Sequence, residues 1–381
     1  MSKIAKEIVR FSREYFRENY ISLHRPIFNG NEKKYLTECI DSNFVSSVGN
    51  SVNKFEEKFA EFTKSKYAIS TINGTAALHL SLFALKVSSA DEVITQALTF
   101  VATSNAIRYL GANPIFIDVD VDTMGLSYKS LKYFLENNVD VIDDQAINKK
   151  TKKVIKACLP MHTFGYPCKI DQIIKLCKKF RIPIIEDAAE GLGSYYKNKH
   201  LGTFGCLGTF SFNGNKIITT GGGGMIVTDD EILAKRLRHL STTAKVNHKY
   251  NFYHDEIGFN YRLPSINAAM GIAQLESLKS FLVSKEQLNK KWKLLFVNLD
   301  VKMLEPIKHS NPNYWLNTII VESLKQRDEI LEYTNNNKVM TRPIWDLMTS
   351  LPEFKKCEHD GLKNSKWLVD RCINIPSSVV S

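Results

Sequence analysis

Short apolar segments alternate with helix-period segments between residues 67 and 227, and this alternation restricts the possible folds more than any other feature of the chain. Strands separated by helices favour right-handed crossovers and a mostly parallel sheet with helices on both faces. The sequence therefore predicts an α/β fold. The candidate strands are 67–70, 92–95, 114–118, 154–160, 183–187, 209–212 and 225–227. Helix-period stretches between them include 75–85, 101–109 and 170–180.

The alternation stops after about Asp255, where a long helical pattern over 264–292 precedes a strand-like segment at 315–321. We expect an N-terminal helical arm over residues 1–25, a large domain over 26–255 and a smaller α+β domain over 256–381. The first residues carry charges throughout, and no uninterrupted apolar segment is present there. The N-terminus is therefore predicted to be neither a secretory signal nor a membrane span.

The formal charge of +11 is spread along the chain, and its densest segment, NKKTKK at 148–153, is interpreted as a solvated loop. No helix-turn-helix, zinc-finger or RNA-binding pattern accompanies the charge, so nucleic acid is not an expected partner. A site for phosphorylated ligands explains part of the excess. The seven cysteines are odd in number and contain no CxxC pair, which indicates reduced thiols in a cytoplasm and no zinc site.

Lys216 stands between a β-rich segment and four consecutive glycines in the stretch 208–228, GTFSFNGNKIITTGGGGMIVT. Hydroxyl and amide side chains flank this lysine, and the glycines leave the backbone free to adopt positive φ. A lysine in this setting is a candidate for a covalent-catalytic amine. The alternative is a surface turn, because glycine clusters commonly separate strands.

Two other predicted strand ends carry groups that suit ligand binding, since ligands of such sheets collect at the carboxyl ends of the strands. Gly74 and Thr75 begin a helix whose first unpaired N–H groups can bind a phosphate, although an ordinary helix start is the alternative. Neither a Walker loop nor a GxGxxG motif occurs there. Asp187 ends the fifth strand before two alanines, and it can hold a protonated ring nitrogen or merely cap the next helix.

Seven motifs then identify a resemblance that covers most of the chain from about Leu23 onward: NGTAALHLSL, TFVATSNAI, PIFIDVD, PMHTFGYPCKID, EDAAEGLGS, GTFSFNGNKIITTGGGGMIVTDD and GFNYRLPSINAAMGIAQLE. In this order they resemble the DegT/DnrJ/EryC1/StrS sugar aminotransferases, which use pyridoxal phosphate (PLP) to aminate nucleotide-linked keto sugars. Five further segments resemble the branch of this family that serves legionaminic acid and bacillosamine-type pathways: ISLHRPIFNGNEKKY, FVSSVGNSV, NYWLNTI, VMTRPIWDLM and NIPSSV.

The resemblance implies PLP-dependent transferase fold type I, with a seven-stranded, mostly parallel sheet and a smaller C-terminal domain. It implies that Lys216 holds PLP covalently, that Asp187 pairs with the pyridine nitrogen and that Phe100 stacks on the ring. Further cofactor contacts are expected from Gly74, Thr75, Glu190, Ser211 and Asn213. Asn260 would reach the phosphate from a neighbouring subunit, which implies a homodimer with shared active sites. Basic and aromatic groups suit a nucleotide diphosphate and a sugar, and the residues assigned to the substrate side are His162, Arg262, Trp315 and Arg342. No metal is expected.

The implied reaction moves an amino group from an amino acid, such as L-glutamate, through the pyridoxamine form of PLP. The acceptor would be C4 of a UDP- or GDP-linked 4-keto-6-deoxy-N-acetylhexosamine. A sugar dehydratase of the same fold is one alternative, but such enzymes replace the covalent lysine with histidine, and Lys216 opposes this reading. A non-catalytic regulatory protein is a second alternative, which the intact Lys216, Asp187 and Thr75 disfavour.

Two positions depart from the family pattern. Glu190 stands where many relatives carry glutamine or histidine, close to the phenolic oxygen of the cofactor. Because an ionised carboxylate there would repel the phenolate, we expect Glu190 to be protonated or paired. Gly222 stands where many relatives carry glutamate, and we expect it to give the loop extra freedom.

Overall fold

The computed structural model describes residues 3–380, so residues 1, 2 and 381 of the expected arm and small domain lie outside the described residues. The α-helices are α1 Lys3–Phe16, α2 Glu32–Asp41, α3 Asn50–Thr63, α4 Gly74–Ala84, α5 Val101–Tyr109, α6 Tyr128–Asn138, α7 Ile170–Lys179, α8 Glu231–Ser241, α9 Ser265–Val297, α10 Leu324–Asn336 and α11 Lys363–Val369. Short 3₁₀ helices occur at Thr163–Gly165, Met348–Ser350 and Pro352–Phe354.

The strands of the large domain are β1 Tyr67–Thr71, β2 Asp91–Gln96, β3 Asn113–Ile117, β4 Val139–Ile142, β5 Gln145–Asn148, β6 Val154–Leu159, β7 Ile185–Asp187, β8 Tyr195–Tyr196, β9 Lys199–His200, β10 Leu207–Ser211 and β11 Gly224–Thr228. The later strands are β12 Lys302–Met303, β13 Ser310–Asn311, β14 Asn317–Ile320, β15 Arg342–Pro343 and β16 Cys372–Ile375. All seven candidate strands are therefore present, with ends that shift by one or two residues. The hairpin β4–β5 and the short strands β8 and β9 were not expected.

The expected single seven-stranded sheet is found as two sheets, in the orders β1-β11-β10-β7 and β3-β2-β6-β5-β4. The two sheets meet where the end of β6 lies beside β7. Two parallel β-bridges connect them there, and they pair Cys158 with Ile184 and Met161 with Asp187. The Asp187 N–H donates to the Pro160 carbonyl at 2.9 Å. Because β7 has only three residues, this junction carries isolated bridges and no continuous ladder. β11 runs antiparallel to both of its neighbours, whereas β2, β3 and β6 are parallel.

The helices cover both faces because their apolar residues match the helical period. In α7 the buried residues Ile170, Ile173 and Cys177 recur every three to four positions, while lysines occupy the other side. The helix α4 is different, since nearly all of its residues are buried, and it lies between the sheet and its neighbours α5 and α8. Burial on all sides fixes the N-terminus of α4 against the end of β10.

The later part of the chain forms a second core. The sheet β12-β14-β16-β15 packs with α1, α10 and the last turns of α9, where Trp292 and Phe296 are buried. The N-terminal half of α9 instead packs on α2 and α3, so this helix joins the two cores. Across residues 3–380, no helix combines the length and apolarity needed to cross a membrane. All seven cysteines are free thiols.

Candidate active site

A cavity of about 310 Å³ lies at the carboxyl ends of β7 and β10, beside the N-terminus of α4. It contains both Lys216 and Asp187, the two residues on which the sequence-based hypothesis depends. The other expected cofactor contacts that line this cavity are Gly74, Thr75, Phe100, Glu190, Ser211 and Asn213. The polar strand ends that the sequence places at this edge of the sheet therefore line one cavity.

Asp187 is buried at the end of β7, and its carboxylate is held by two donors. The Thr103 hydroxyl donates to Oδ2 at 2.7 Å, and the Ala189 N–H donates to Oδ1 at 3.2 Å. Burial raises the pKa of the Asp187 carboxyl, while these hydrogen bonds and the nearby charge of Lys216 act in the opposite direction. The cavity can therefore present a fixed acidic group to a cationic ligand atom.

Glu190 is paired, as expected from its unusual position. The Lys216 ammonium donates to Glu190 Oε1 at 3.0 Å, and the Phe164 N–H donates to Oε2 at 2.8 Å. Only 1% of the Glu190 side chain and 12% of the Lys216 side chain is exposed. Burial raises the pKa of the Glu190 carboxyl, and the Lys216 charge partly offsets this rise.

Trp315 forms a wall beside the lysine, with the Lys216 ammonium 4.0 Å from the centroid of its ring. Three hydrogen bonds fix this tryptophan. Its indole N–H donates to the Asn215 carbonyl at 2.7 Å, and its main-chain N–H donates to Asn313 Oδ1 at 2.8 Å. The buried Lys285 ammonium donates to the Trp315 carbonyl at 3.1 Å. Lys216 is therefore held between a carboxylate and a rigid aromatic face.

The N-terminus of α4 forms another wall of the cavity. The Asn73 side chain caps this helix by accepting the Ala76 N–H at 2.7 Å. The N–H groups of Gly74 and Thr75, the first two residues of the helix, have no acceptor within the helix. A Cβ atom at Gly74 would lie 2.8 Å from Ser211 Cβ, so only glycine permits this approach. Helix N–H groups beside a hydroxyl suit an anionic phosphate.

These features are a suitable donor set for PLP. A primary amine can bind an aldehyde, a buried carboxylate can hold a protonated ring nitrogen, and helix N–H groups can bind a phosphate. Phe100, at the start of α5, lines the same cavity and is half exposed, so its ring is free to face a flat ligand. The chemistry of this chain's own residues therefore fits the cofactor that the sequence motifs imply.

A second, wider cavity of about 720 Å³ adjoins the first and shares Phe100, Asn215, Trp315 and Trp345 with it. Its walls are mainly apolar and aromatic. Two of the residues assigned to the substrate side, Trp315 and Arg342, line this cavity. The exposed Arg342 guanidinium donates to Asn335 Oδ1 at 2.8 Å.

The structure corrects the assignment of His162 to the substrate side. Its side chain is fully buried and lines neither cavity, and its Nε2 lies 2.9 Å from Glu186 Oε2. Glu186 in turn accepts the N–H groups of Gly202 at 2.9 Å and Gly205 at 2.7 Å. Consecutive strand residues face opposite sides of a sheet, so Glu186 and Asp187 diverge, and His162 follows Glu186 away from the cavity.

Arg262 lines neither cavity of its own chain and is engaged elsewhere, so its assignment to the substrate side stays a prediction. Its Nη1 lies 2.6 Å from Oε1 of the buried Glu56, which also accepts the Ser70 N–H at 2.7 Å. Asn260 is exposed, outside the cavity, and bridges to Thr242 in an extended segment. Its expected contact with a neighbouring subunit stays a prediction.

Gly222 lines the cavity, but it is not the glycine that requires conformational freedom. A Cβ atom at Gly222 would make only ordinary contact, 3.8 Å from the Ile72 carbonyl. The preceding Gly221 has φ +79°, a value that L-residues rarely adopt. Two further residues that line the cavity, Thr103 and Trp345, were not predicted as site residues, although they occur in the motifs TFVATSNAI and VMTRPIWDLM.

Comparison with known proteins gives consistent matches along the chain. The DegT/DnrJ/EryC1/StrS aminotransferase family matches residues 26–380. A GDP-perosamine synthase from Escherichia coli O157:H7 is 39% identical over 360 residues, covering 94% of this chain and 93% of that protein. An aminotransferase structure from Psychrobacter cryohalolentis has 27% identity and TM-score 0.83, covering 94% and 93% of the two chains. DesI, solved in the presence of its TDP-sugar product, has 25% identity and TM-score 0.82, covering 94% and 88%.

Proposed function

This chain belongs to the DegT/DnrJ/EryC1/StrS aminotransferase family, and on this premise we propose that it aminates C4 of a nucleotide-linked 4-keto-6-deoxy-N-acetylhexosamine. The chain is a nucleotide-sugar aminotransferase that uses PLP. We propose L-glutamate as the amino donor and a legionaminic acid or bacillosamine-type pathway as the context. The observation that carries the proposal is the meeting of Lys216, Asp187 and the α4 N-terminus in one cavity that adjoins a wider one.

When bound, PLP supplies an aldehyde that carries the amino group and a ring that withdraws electrons from the reacting carbon. In this proposal, Asp187 would keep the ring nitrogen protonated, and the Thr103 hydrogen bond, which opposes the rise of the Asp187 pKa on burial, would favour the ionised carboxylate. Gly74, Thr75 and Ser211 bind the phosphate. With the cofactor bound, the Lys216 amine would move a proton to and from the reacting carbon as general base and acid.

The wider cavity is suited to the sugar nucleotide. Its aromatic walls, which include Trp315 and Trp345, offer flat surfaces for an apolar sugar face beside the cofactor cavity. Arg342 lies at an exposed edge, where a guanidinium can bind diphosphate oxygens. UDP and GDP both remain candidate nucleotides in this proposal, and the GDP-perosamine synthase relative supports GDP.

We further propose a homodimer in which Asn260 completes the neighbouring site. Large apolar side chains cluster on the exposed surface of the segments 44–48 and 250–257, with Val48 80%, Phe252 81% and Ile257 75% exposed. Exposed apolar patches of this kind favour protein contacts. A mixture of the inactive variants Lys216→Met and Asn260→Ala should regain about a quarter of wild-type activity, because each mixed dimer would contain one intact site. Continued inactivity after subunit exchange, verified by mass-tagged subunits, would argue against shared sites.

The function is tested by following the cofactor absorbance of the purified holoenzyme. Addition of L-glutamate should convert the PLP form to the pyridoxamine form, and a UDP- or GDP-linked 4-keto-6-deoxy-N-acetylhexosamine should restore the first spectrum. Mass spectrometry should detect a sugar product in which an amine has replaced the keto oxygen. A dehydrated product without an amine would support the dehydratase alternative, and failure with both nucleotides would contradict the proposal.

A further inference from the structure

His24 lies in the segment between α1 and α2, and its imidazole lines the wider cavity together with Leu23, Asn215 and Trp315. Both ring nitrogens are buried, and neither has a hydrogen-bond partner among residues 3–380. The ring lies close to the Asn215 main chain. The Asn215 carbonyl accepts the Trp315 indole N–H and has a second lone pair, but neither His24 nitrogen forms a hydrogen bond with it.

An arrangement of this kind opposes folding stability. Most buried polar side-chain atoms in proteins have at least one hydrogen-bond partner, because desolvation without a new bond is unfavourable. Burial, reinforced by the nearby charge of Lys285, lowers the pKa of His24 well below its ordinary value, so the ring is neutral at physiological pH. A neutral imidazole offers one N–H donor and one nitrogen acceptor.

These two groups match an uncharged polar substituent better than a phosphate. An acetamido or hydroxyl group can accept from the N–H or donate to the other nitrogen, whereas a phosphate is bound more strongly by a cation such as Arg342. The neighbouring walls of the cavity, including Leu23, Met340 and Ile344, are apolar and can accommodate the methyl or ring carbons beside such a substituent.

We propose that His24 is a specificity residue that binds an uncharged polar substituent of the sugar ring, either an acetamido or a hydroxyl group. The proposal rests on the proposed function, because it places the sugar in the wider cavity. It assigns His24 to substrate binding and not to the stability of the fold. The buried, unpartnered nitrogens of His24 then form a hydrogen bond only when the sugar is present.

The test measures binding to the holoenzyme by isothermal titration. The probes are UDP-N-acetylglucosamine, UDP-glucose and UDP, with GDP-mannose and GDP as a parallel set. His24→Phe keeps a flat ring of similar shape but removes both hydrogen-bonding groups, and His24→Gln restores a donor and an acceptor. His309→Gln is the matched surface control, since His309 is exposed and lies in neither cavity.

His24→Phe should weaken binding of the sugar nucleotides about tenfold, the loss expected for one or two hydrogen bonds, and should leave binding of free UDP or GDP unchanged. His24→Gln should recover most of the loss. A loss confined to UDP-N-acetylglucosamine identifies the acetamido group, whereas an equal loss for all sugars identifies a hydroxyl group. The melting temperature of cofactor-free His24→Phe should equal or exceed that of the wild type.

Three results would overturn the inference. Equal affinities of wild type and His24→Phe for every sugar nucleotide would exclude the contact while leaving the proposed function intact. A lowered melting temperature together with weaker binding of free nucleotide would assign His24 a structural role. Failure of the wild type to bind any nucleotide sugar would instead contradict the proposed function itself.

Discussion

Replacing Lys216 with methionine should destabilise the cofactor-free protein, and the loss should depend on pH. Methionine fills a similar volume but removes the ammonium group that lies 3.0 Å from Glu190 Oε1. Removing one partner of a buried ion pair generally costs about 3–5 kcal/mol, because the remaining charge is uncompensated. Here the carboxylate keeps its hydrogen bond from the Phe164 N–H. The remaining penalty is therefore limited by the ease with which Glu190 takes up a proton.

The cost of protonating Glu190 therefore sets the largest loss of stability that the substitution can cause. Protonating a glutamate of ordinary pKa, about 4.3, costs about 3.7 kcal/mol at pH 7 and about 1 kcal/mol at pH 5. The free energy of unfolding of Lys216→Met should thus fall by up to about 3.7 kcal/mol at pH 7 and by much less at pH 5. The sign follows from linkage: burial raises the pKa of Glu190 above its unfolded value, so the native state binds more protons and its stability decreases as the pH rises. Removing Lys216 strengthens this dependence.

The assay is urea unfolding of four cofactor-free proteins at pH 5 and pH 7: wild type, Lys216→Met, Glu190→Gln and the double variant. The coupling energy from this cycle isolates the ion pair from other contacts of the lysine, such as the one with Trp315. In the Glu190→Gln background, the Lys216→Met change should cost much less and should show only the weaker pH dependence that comes from the effect of the Lys216 charge on Asp187. A loss that is the same at both pH values, or that persists fully without Glu190, would refute the pairing argument.

Two other substitutions test the remaining walls of the cofactor cavity. Thr103→Val removes a hydrogen-bond donor to Asp187 and should weaken PLP binding about ten- to a hundredfold in an absorbance titration. Thr103→Ser keeps the hydroxyl and should bind PLP normally. Equal PLP affinities of wild type and Thr103→Val would exclude the positioning role of the hydroxyl. Gly74→Ala should reduce PLP affinity at least about tenfold, because the added Cβ atom would collide with Ser211. Gly214→Ala is the control and should leave PLP affinity unchanged, because the space around its added Cβ atom is open. Unchanged affinity of Gly74→Ala would show that this wall tolerates displacement.

Local patterns predict the parallel strands and their helices because these elements are buried and their apolar periodicity is strong. The helix α5 has the predicted bounds, Val101–Tyr109, and β1 differs from its prediction by one residue. The β4–β5 hairpin was not predicted because β4 is largely exposed and the turn is Asp143-Asp144, with φ values of +48° and +59°. Hairpin turns with two positive φ values usually carry Asn-Gly or Asp-Gly, so this turn lacks the usual sequence signal.

The same distinction applies to the candidate site. A position at the end of a strand can be inferred from sequence, which explains why Lys216 and Asp187 line one cavity. The face to which a side chain turns depends on register, and His162 therefore lies with Glu186 on the other side. Contacts between distant segments, such as Thr103 with Asp187, arise only from the packing of α5 against the sheet.

The charges of the cavity also explain what kind of ligand it selects. Asp187 and Glu190 place two carboxylates beside a single ammonium, whereas the α4 N-terminus presents only donors. A free phosphate would be attracted to the helix but repelled by the acidic wall, despite the overall basic character of the chain. A ligand that carries both an anionic phosphate and a cationic ring nitrogen satisfies both walls. Because the Lys216 amine that would hold the aldehyde of such a ligand also pairs with Glu190, cofactor affinity should be coupled to protonation of this carboxylate.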